Sequence, residues 1–237
     1  MYDDKEVGRV GRAILEVVKK LYYHRMIDTL SGNVSAKLSD GSILITPGGA
    51  SKKEDILSGN KIDLAVGDLS LITTDGEVIW GDSEPSSEWR MHAATYKAIP
   101  EARSLVHPHP ICTLSLFDSF VDNSLEGEKR LESGLLGLNK ALSNMEEPEY
   151  YVGKVGAVCR LKNGSEELAE SVAAEFGKGC TVVVLEAHGV AAIGPTLYKA
   201  LGRAEALEIA AEKFMRSLGT RNALRSRNAL QDRSFIE

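Results

Sequence analysis

Two Asp-Gly pairs, Asp40-Gly41 and Asp75-Gly76, each stand between short apolar runs, and they constrain the fold of this chain more than any other feature. A tight hairpin turn needs φ > 0 at its central residues, which aspartate tolerates and glycine adopts freely. Residues 34–38 are therefore expected to pair with 43–46, and 70–73 with 78–81. Two hairpins early in the chain commit much of the sheet to antiparallel pairing. Helical spacing surrounds them. Val7, Val10, Ile14, Val17, Val18 and Leu21 recur mostly three and four apart, which predicts an amphipathic helix over about 4–26.

The later chain alternates in the same way. Ser51-Lys52-Lys53-Glu54 fits a capping box opening a short helix. Pro85-Ser86-Ser87-Glu88 opens a helix to about residue 99, where Pro100 prevents continuation. Residues 104–106 read as a strand that delivers His107-Pro108-His109 at its end, and a helix over about 111–117 follows. A polar stretch runs to Pro148, with a helix expected near 131–143. Gly164-Ser165-Glu166-Glu167 opens another helix ending before Gly177. Residues 181–185 form an apolar strand ending on Glu186-Ala187-His188-Gly189, and a long Ala-, Leu- and Glu-rich helix spans about 195–218. With no repeat or linker, we expect one α/β domain over 1–237: a mostly antiparallel central sheet flanked by helices, with a tail from about 219.

Composition narrows the function classes. A net charge of −6 with scattered Lys and Arg argues against phosphate-backbone binding, so no nucleic-acid partner is expected. No apolar run approaches the roughly 20 residues of a membrane span, and the start lacks the basic and apolar blocks of a secretory signal. Cys112, Cys159 and Cys180 are odd in number and lack metal-type spacing, so they read as reduced thiols of a cytoplasmic protein.

Three clusters could carry chemistry. Residues two apart on an extended chain face the same way, so His107 and His109 can present both imidazoles to one point. His188 ends a different strand, before a glycine that permits a sharp turn. Three imidazoles with one position open is the arrangement of a catalytic zinc, although His-x-His also recurs by chance in surface loops. Of the other two histidines, His24 reads as an ordinary helix residue. Glu88 is expected in the first turn of its helix, where the dipole favours any carboxylate, and four residues from His92 on the same face. The third cluster is Ser31-Gly32-Asn33, Thr46-Pro47-Gly48-Gly49 and Ser86-Ser87. Its glycines and hydroxyls could cradle a phosphate or simply form turns.

Taken together and in this order, these strings resemble the class II aldolase/adducin family. The matching segments are Ser31-Gly32-Asn33-Val34-Ser35, Asp40-Gly41-Ser42-Ile43-Leu44-Ile45-Thr46-Pro47-Gly48-Gly49, Pro85-Ser86-Ser87-Glu88-Trp89-Arg90-Met91-His92, Val106-His107-Pro108-His109-Pro110, Gly164-Ser165-Glu166-Glu167-Leu168 and His188-Gly189-Val190. The resemblance implies a three-layer α/β/α fold around a nine-stranded, mostly antiparallel sheet, in a homotetramer with active sites at subunit interfaces. It implies one Zn2+ per subunit on His107, His109 and His188, with Glu88 as a further ligand and acid/base. It assigns substrate phosphate to Gly32, Asn33, Gly48, Gly49, Ser86 and Ser87. The implied reaction is aldol cleavage of a ketose 1-phosphate of the L-fuculose 1-phosphate type, giving dihydroxyacetone phosphate and a small aldehyde such as L-lactaldehyde. A methylthioribulose-1-phosphate dehydratase or a pentulose-phosphate aldolase or epimerase of the same family is the enzymatic alternative. A non-catalytic adducin-like scaffold is the other, and it is not expected to keep this histidine set. Three features depart from the pattern. Gly48 stands where related aldolases commonly carry Thr or Ser. The stretch between His109 and His188 is long, with the excess expected in 120–148. The tyrosine contributed by a neighbouring subunit is unassigned, with Tyr151 the candidate beside Tyr150.

Overall fold

The computed structural model describes residues 2–48 and 61–233, with side chains as far as 220. The first helix, α1 (Asp4–Tyr23), opens on Asp3, whose side chain accepts from the Lys5 N–H, and it buries Val7, Ile14, Val17, Val18 and Leu21. It stops three residues short of the expected end. The Arg25 and Met26 N–H groups donate to the Tyr22 and Leu21 carbonyls, the paired bonds of a Schellman termination.

Both expected hairpins form: β1 (Asn33–Lys37) with β2 (Ile43–Ile45), and β3 (Ser70–Ile72) with β4 (Val78–Trp80). At the first, Asp40 Oδ1 accepts from the Ser42 backbone N–H at 3.0 Å and its hydroxyl at 2.5 Å, and Gly41 takes φ 89°. Then come α2 (Trp89–Ala98), β5 (Ser104–His107), α3 (Ile111–Phe120), α4 (Gly127–Leu142), a single turn α5 (Pro148–Tyr151), β6 (Val155–Val158) and α6 (Glu166–Gly177). The chain finishes with β7 (Val182–Leu185), β8 (Gly189–Gly194) and α7 (Leu197–Arg233). The last helix, expected to stop at 218, runs through the region read as a tail. The capping box at 51–54 lies outside the described residues.

Among the described residues the sheet has eight strands in the order β4-β3-β2-β1-β5-β8-β7-β6, against the nine the resemblance implied. Every adjacent pair is antiparallel except β6 with β7, which the α6 crossover makes parallel. Both faces are covered. Val34, Ala36, Leu44, Val106, Val182, Val184 and Ala192 pack under α1, α3, α4 and α7. The residues between them in sequence, such as Ile43, Ile45, Leu105, Val183, Leu185 and Ala191, pack under α2 and α6. Period-two alternation thus sends apolar side chains to both layers, which is why the central strands carry so few polar residues. Among the exceptions, Asn33, Ser35 and His107 mark where the site begins. The three-layer α/β fold expected from the sequence is the fold observed.

Candidate active site

His107 is the last residue of β5, and its register partner across the sheet is Asn33, the first residue of β1. His109 lies two residues beyond, its backbone N–H donating to the Met26 carbonyl at 2.7 Å. His188 sits in the tight connection between β7 and β8, its N–H donating to the Leu185 carbonyl at 3.0 Å. Val190 N–H donates to the Pro108 carbonyl at 2.9 Å, locking the two histidine-bearing segments together. Gly189 makes their approach possible. A Cβ there would stand 2.7 Å from His109 Cδ2 and 2.8 Å from both His107 Cε1 and the Pro108 carbonyl oxygen.

The three imidazoles converge edge to face. His107 Nε2 lies 3.3 Å from His188 Nε2 and 3.2 Å from His109 Nε2. Glu88 completes the cluster, with Oε2 at 3.0 Å from His107 Nε2 and Oε1 at 3.4 Å from His188 Nε2. It is the N-cap residue of α2 rather than a first-turn residue, and its side chain makes no capping bond. A carboxylate at that position normally accepts from its own helix; this one is turned to the histidines instead.

Hydrogen-bond chemistry shows what the cluster lacks. His107 Nδ1 faces the Val190 carbonyl oxygen at 2.9 Å, so Nδ1 must carry a proton and Nε2 presents its lone pair. A lone pair then faces a carboxylate that can only accept, and two further imidazole nitrogens. Glu88 Oε1 is buried with no hydrogen-bond donor. A cation at the point of convergence satisfies all four groups at once, and these three histidines are a group that could hold a metal ion. Burial and the neighbouring His107 hold His109 down to about 3 and His188 down to about 4, so both stay neutral and fit to ligate at physiological pH. Burial alone would raise the Glu88 carboxyl. His107 in its protonated form, by charge and hydrogen bond, with His188 and the Asn33 amide, outweighs it and holds the carboxyl well below the usual range when no cation takes that proton's place.

Behind Glu88 runs a chain of donors. Asn33 Nδ2 donates to Glu88 Oε2 at 3.0 Å, and Asn33 Oδ1 lies 2.5 Å from His92 Nε2. His92 Nδ1 lies 2.6 Å from Ser35 Oγ, which lies 2.7 Å from the Tyr96 hydroxyl. Because the Asn33 amide nitrogen is spent on Glu88, its oxygen must accept, and His92 carries its proton on Nε2. Ser35 then donates to Nδ1. Burial pushes His92 down to about 3, which keeps it in that neutral form. Glu88 and His92, four apart on one helix face, are thus joined through Asn33. Ser35 and Tyr96 were missed. Ser35 had a signal, since Asn33 and Ser35 are buried polar residues on one face of β1. Lys61 was also missed. Its buried ammonium donates to the Gly32 carbonyl, and burial pushes it down to about 8 against the opposing pull of Glu88 and Asp28.

The glycine and serine segments meet beside Glu88. Pro47 bridges to Pro85, Gly48 N–H donates to the Glu84 carbonyl at 3.1 Å, and Ser86 N–H to the Thr46 carbonyl at 3.1 Å. Gly48, Ser86 and Ser87 therefore share one loop pair, with Ser86 buried and Ser87 exposed. Gly32, at φ 72°, abuts the His107 carbonyl oxygen, which a Cβ would approach to 2.9 Å. The Gly48 N–H and both ends of the Asn33 amide are already bonded within the protein and are not open donors of this wall. Gly49 lies outside the described residues. Tyr151 is a helical residue, not a strand residue, and is half-exposed beside Tyr150. Among the described residues no interaction joins it to the histidine cluster. His24 is a surface residue paired with Glu205 at 2.5 Å.

Comparison with known proteins places these features in company. Residues 12–215 match the model of the class II aldolase and adducin N-terminal domain. The chain is 31% identical over 187 residues to a 3-oxo-tetronate 4-phosphate decarboxylase of Haemophilus influenzae, covering 78% of this chain and 76% of that protein. It is 29% identical to an L-fuculose phosphate aldolase of Methanocaldococcus jannaschii, over 83% of this chain and 91% of that one. A methylthioribulose-1-phosphate dehydratase of Acidiphilium cryptum matches at 26% over 84% of this chain and 86% of that one. In fold, the chain is similar to the L-fuculose-1-phosphate aldolase structure from Thermus thermophilus. The TM-score is 0.70 at 23% identity, over 91% of this chain and 97% of that one.

Proposed function

The chain belongs to the class II aldolase and adducin family and is an enzyme of it, and from that premise we propose that it cleaves a phosphorylated ketose by a metal-assisted retro-aldol reaction. The reading is carried by one observation: three neutral imidazole nitrogens and an undonated buried carboxylate oxygen converge on a single point. Two nitrogens bound tetrahedrally to one zinc ion at about 2.0–2.1 Å stand about 3.3–3.4 Å apart. The His107–His188 and His107–His109 separations of 3.3 and 3.2 Å fit that spacing, and all three donor atoms lie within 4.8 Å of one another, so we assign one zinc per subunit. A divalent ion held there supplies Lewis-acid stabilisation of negative charge developing on substrate oxygen.

The remaining work falls to this chain's own residues. Ser86 and Ser87, with Gly32 and Gly48 shaping the wall, hold the phosphate, so the reacting carbons are fixed against the histidine cluster. A base removes the C4 hydroxyl proton and the C3–C4 bond breaks. The released electron pair becomes the enediolate of dihydroxyacetone phosphate, and the other half leaves as a small aldehyde such as L-lactaldehyde. Glu88, at hydrogen-bond distance from the cluster and ionised at rest, takes up a proton and then delivers it to the enediolate carbon. Asn33, polarised by His92, holds the carboxylate in place for that transfer. The retained ligand set and Glu88 argue against a scaffold role.

The dehydratase and decarboxylase activities named among the relatives also proceed through an enediolate, so the same wall of histidines supports them. We further propose a cytoplasmic homotetramer in which a neighbouring subunit supplies the tyrosine, with Tyr151 the candidate; three free cysteines fit a reducing compartment. The test is product analysis of the zinc-loaded protein given L-fuculose 1-phosphate, methylthioribulose 1-phosphate and L-ribulose 5-phosphate in turn. Dihydroxyacetone phosphate from the first supports the aldolase. Water loss from the second with the carbon chain intact replaces it with the dehydratase.

A further inference from the structure

The first helix ends in a way its sequence does not call for. At the left-handed position of the Schellman termination stands Arg25, at φ 59°. Glycine is the usual occupant, because a Cβ in that conformation crowds the following carbonyl. A long side chain held in a disfavoured backbone region directs attention to what that side chain does.

Arg25 lies on the shared wall of two adjoining grooves. One, of about 550 Å³, is also lined by Tyr22, Asp28, Ser31 and the candidate metal ligand His109. The other holds Glu205, Glu208 and Glu212, yet each of these acids is already engaged. Glu205 takes His24 at 2.5 Å, Glu208 accepts the Cys112 and Thr113 N–H groups at 2.8 and 2.7 Å, and Glu212 takes Arg216 at 2.5 Å. Asp28 Oδ1 accepts the Leu30 and Ser31 N–H groups at 2.8 and 2.7 Å. Among the described residues the Arg25 guanidinium makes no hydrogen bond or ion pair. A permanent, planar, two-pronged cation with no direct hydrogen-bond or ion-pair partner thus stands in a groove that His109 also lines.

We propose that Arg25 is a specificity-determining residue that binds a carboxylate at the end of the substrate remote from its phosphate. The substrate class is then a phosphorylated sugar acid, and the aldehyde half carries the carboxylate. This rests on the metal and phosphate sites of the proposed function and alters only the identity of the far end of the substrate.

Arg25→Gly offers a test that unfolding cannot confuse, because glycine suits φ 59° better than arginine. Its melting temperature should equal or exceed that of wild type, with unchanged metal content. Calorimetry on the zinc-loaded proteins should compare 5-phosphoribonate with ribitol 5-phosphate, five-carbon chains ending in a carboxylate and a neutral hydroxymethyl group. Wild type should prefer the acid, and Arg25→Gly should lower that preference about 10- to 100-fold, the range for a charge-assisted bond. Arg25→Lys, which keeps the charge without the fork, should fall between. A wild type without preference, or a preference that survives in Arg25→Gly, overturns the assignment while leaving the phosphate site standing. Binding of neither ligand overturns the phosphate site, and this inference with it.

Discussion

His107, His109 and His188 hang from strand ends that neighbouring strands hold in place, whereas Gly48, Ser86 and Ser87 sit on two loops joined by one isolated bridge. The histidine wall is backed by a relay of buried polar groups from Tyr96 to Glu88. The loop wall has no such backing among the described residues, and its backbone donors are partly spent on itself. The difference matches what each wall is proposed to do. Metal chemistry and proton transfer fail when a ligand drifts by an ångström, so their residues are mounted on the sheet and braced from behind. A phosphate accepts donors from many directions, so loops suffice for it.

Substitutions can sharpen or break that contrast. The largest loss is expected for Glu88→Gln, which is nearly isosteric but cannot take up a proton. Exchange of the dihydroxyacetone phosphate C3 proton with deuterated water, normalised to bound metal, should fall on the order of 10² to 10⁴. Exchange at the wild-type rate would remove Glu88 from the chemistry. His188→Ala should lower zinc affinity by more than the roughly 10- to 100-fold typical of losing a residue behind a ligand, with the fold kept because two apolar layers stand without it. Zinc content equal to wild type by elemental analysis would take His188 out of the site.

Acid separates the walls as well. His92, His109 and His188 sit at about 3, 3 and 4 when folded, below the ordinary 6.5, so the unfolded chain binds more protons between those values. Stability of the chelated protein should therefore be full above about pH 6.5 and fall as pH drops towards 4. The melting temperature should drop on the order of 5–10 °C, and His92→Gln should lessen the drop. A flat profile would contradict the buried neutral histidines. Asn33→Leu, which severs the relay at Glu88, should cost roughly 10- to 100-fold in turnover with less change in phosphate binding. The reverse pattern would make Asn33 a phosphate ligand after all. The smallest effect is expected for Ser86→Ala, about 3- to 10-fold in affinity for dihydroxyacetone phosphate, the worth of one hydrogen bond. No change would show that loop to be merely a turn.

What could be read from the sequence follows the same division. The hairpins, the strands ending on histidine and the helix starts each carry a local signal, such as Asp-Gly turns or the Ser165 cap that accepts from Leu168. Two strands carried none that was used. β6 (Val-Gly-Ala-Val) and β8 (Gly-Val-Ala-Ala-Ile-Gly) dilute Val and Ile with Gly and Ala, which have weak strand preference, and they pair with β7 and β5 beside them. The end of α1 was misplaced because Arg25 sits where glycine would have announced it. His92 was set against Glu88 because four-residue spacing is visible along a helix, whereas Asn33 enters from a strand 59 positions away. Tertiary bridges of that kind have no periodicity to betray them.

The position of β5 has a consequence in time. His107 lies on a strand flanked by β1, made long before it, and β8, made long after it. Its last partner leaves the ribosome only when most of the chain has already been synthesised. Pairings between such distant segments form slowly, because a large loop must close before any contact rewards it. A nascent chain ending before His188 owns two of the three histidines and neither Gly189 nor the Val190 carbonyl that orients His107. Capture of the proposed metal is thereby deferred until His188 and β8 are in place, and an unfinished chain offers only a weak two-histidine site to any ion it meets.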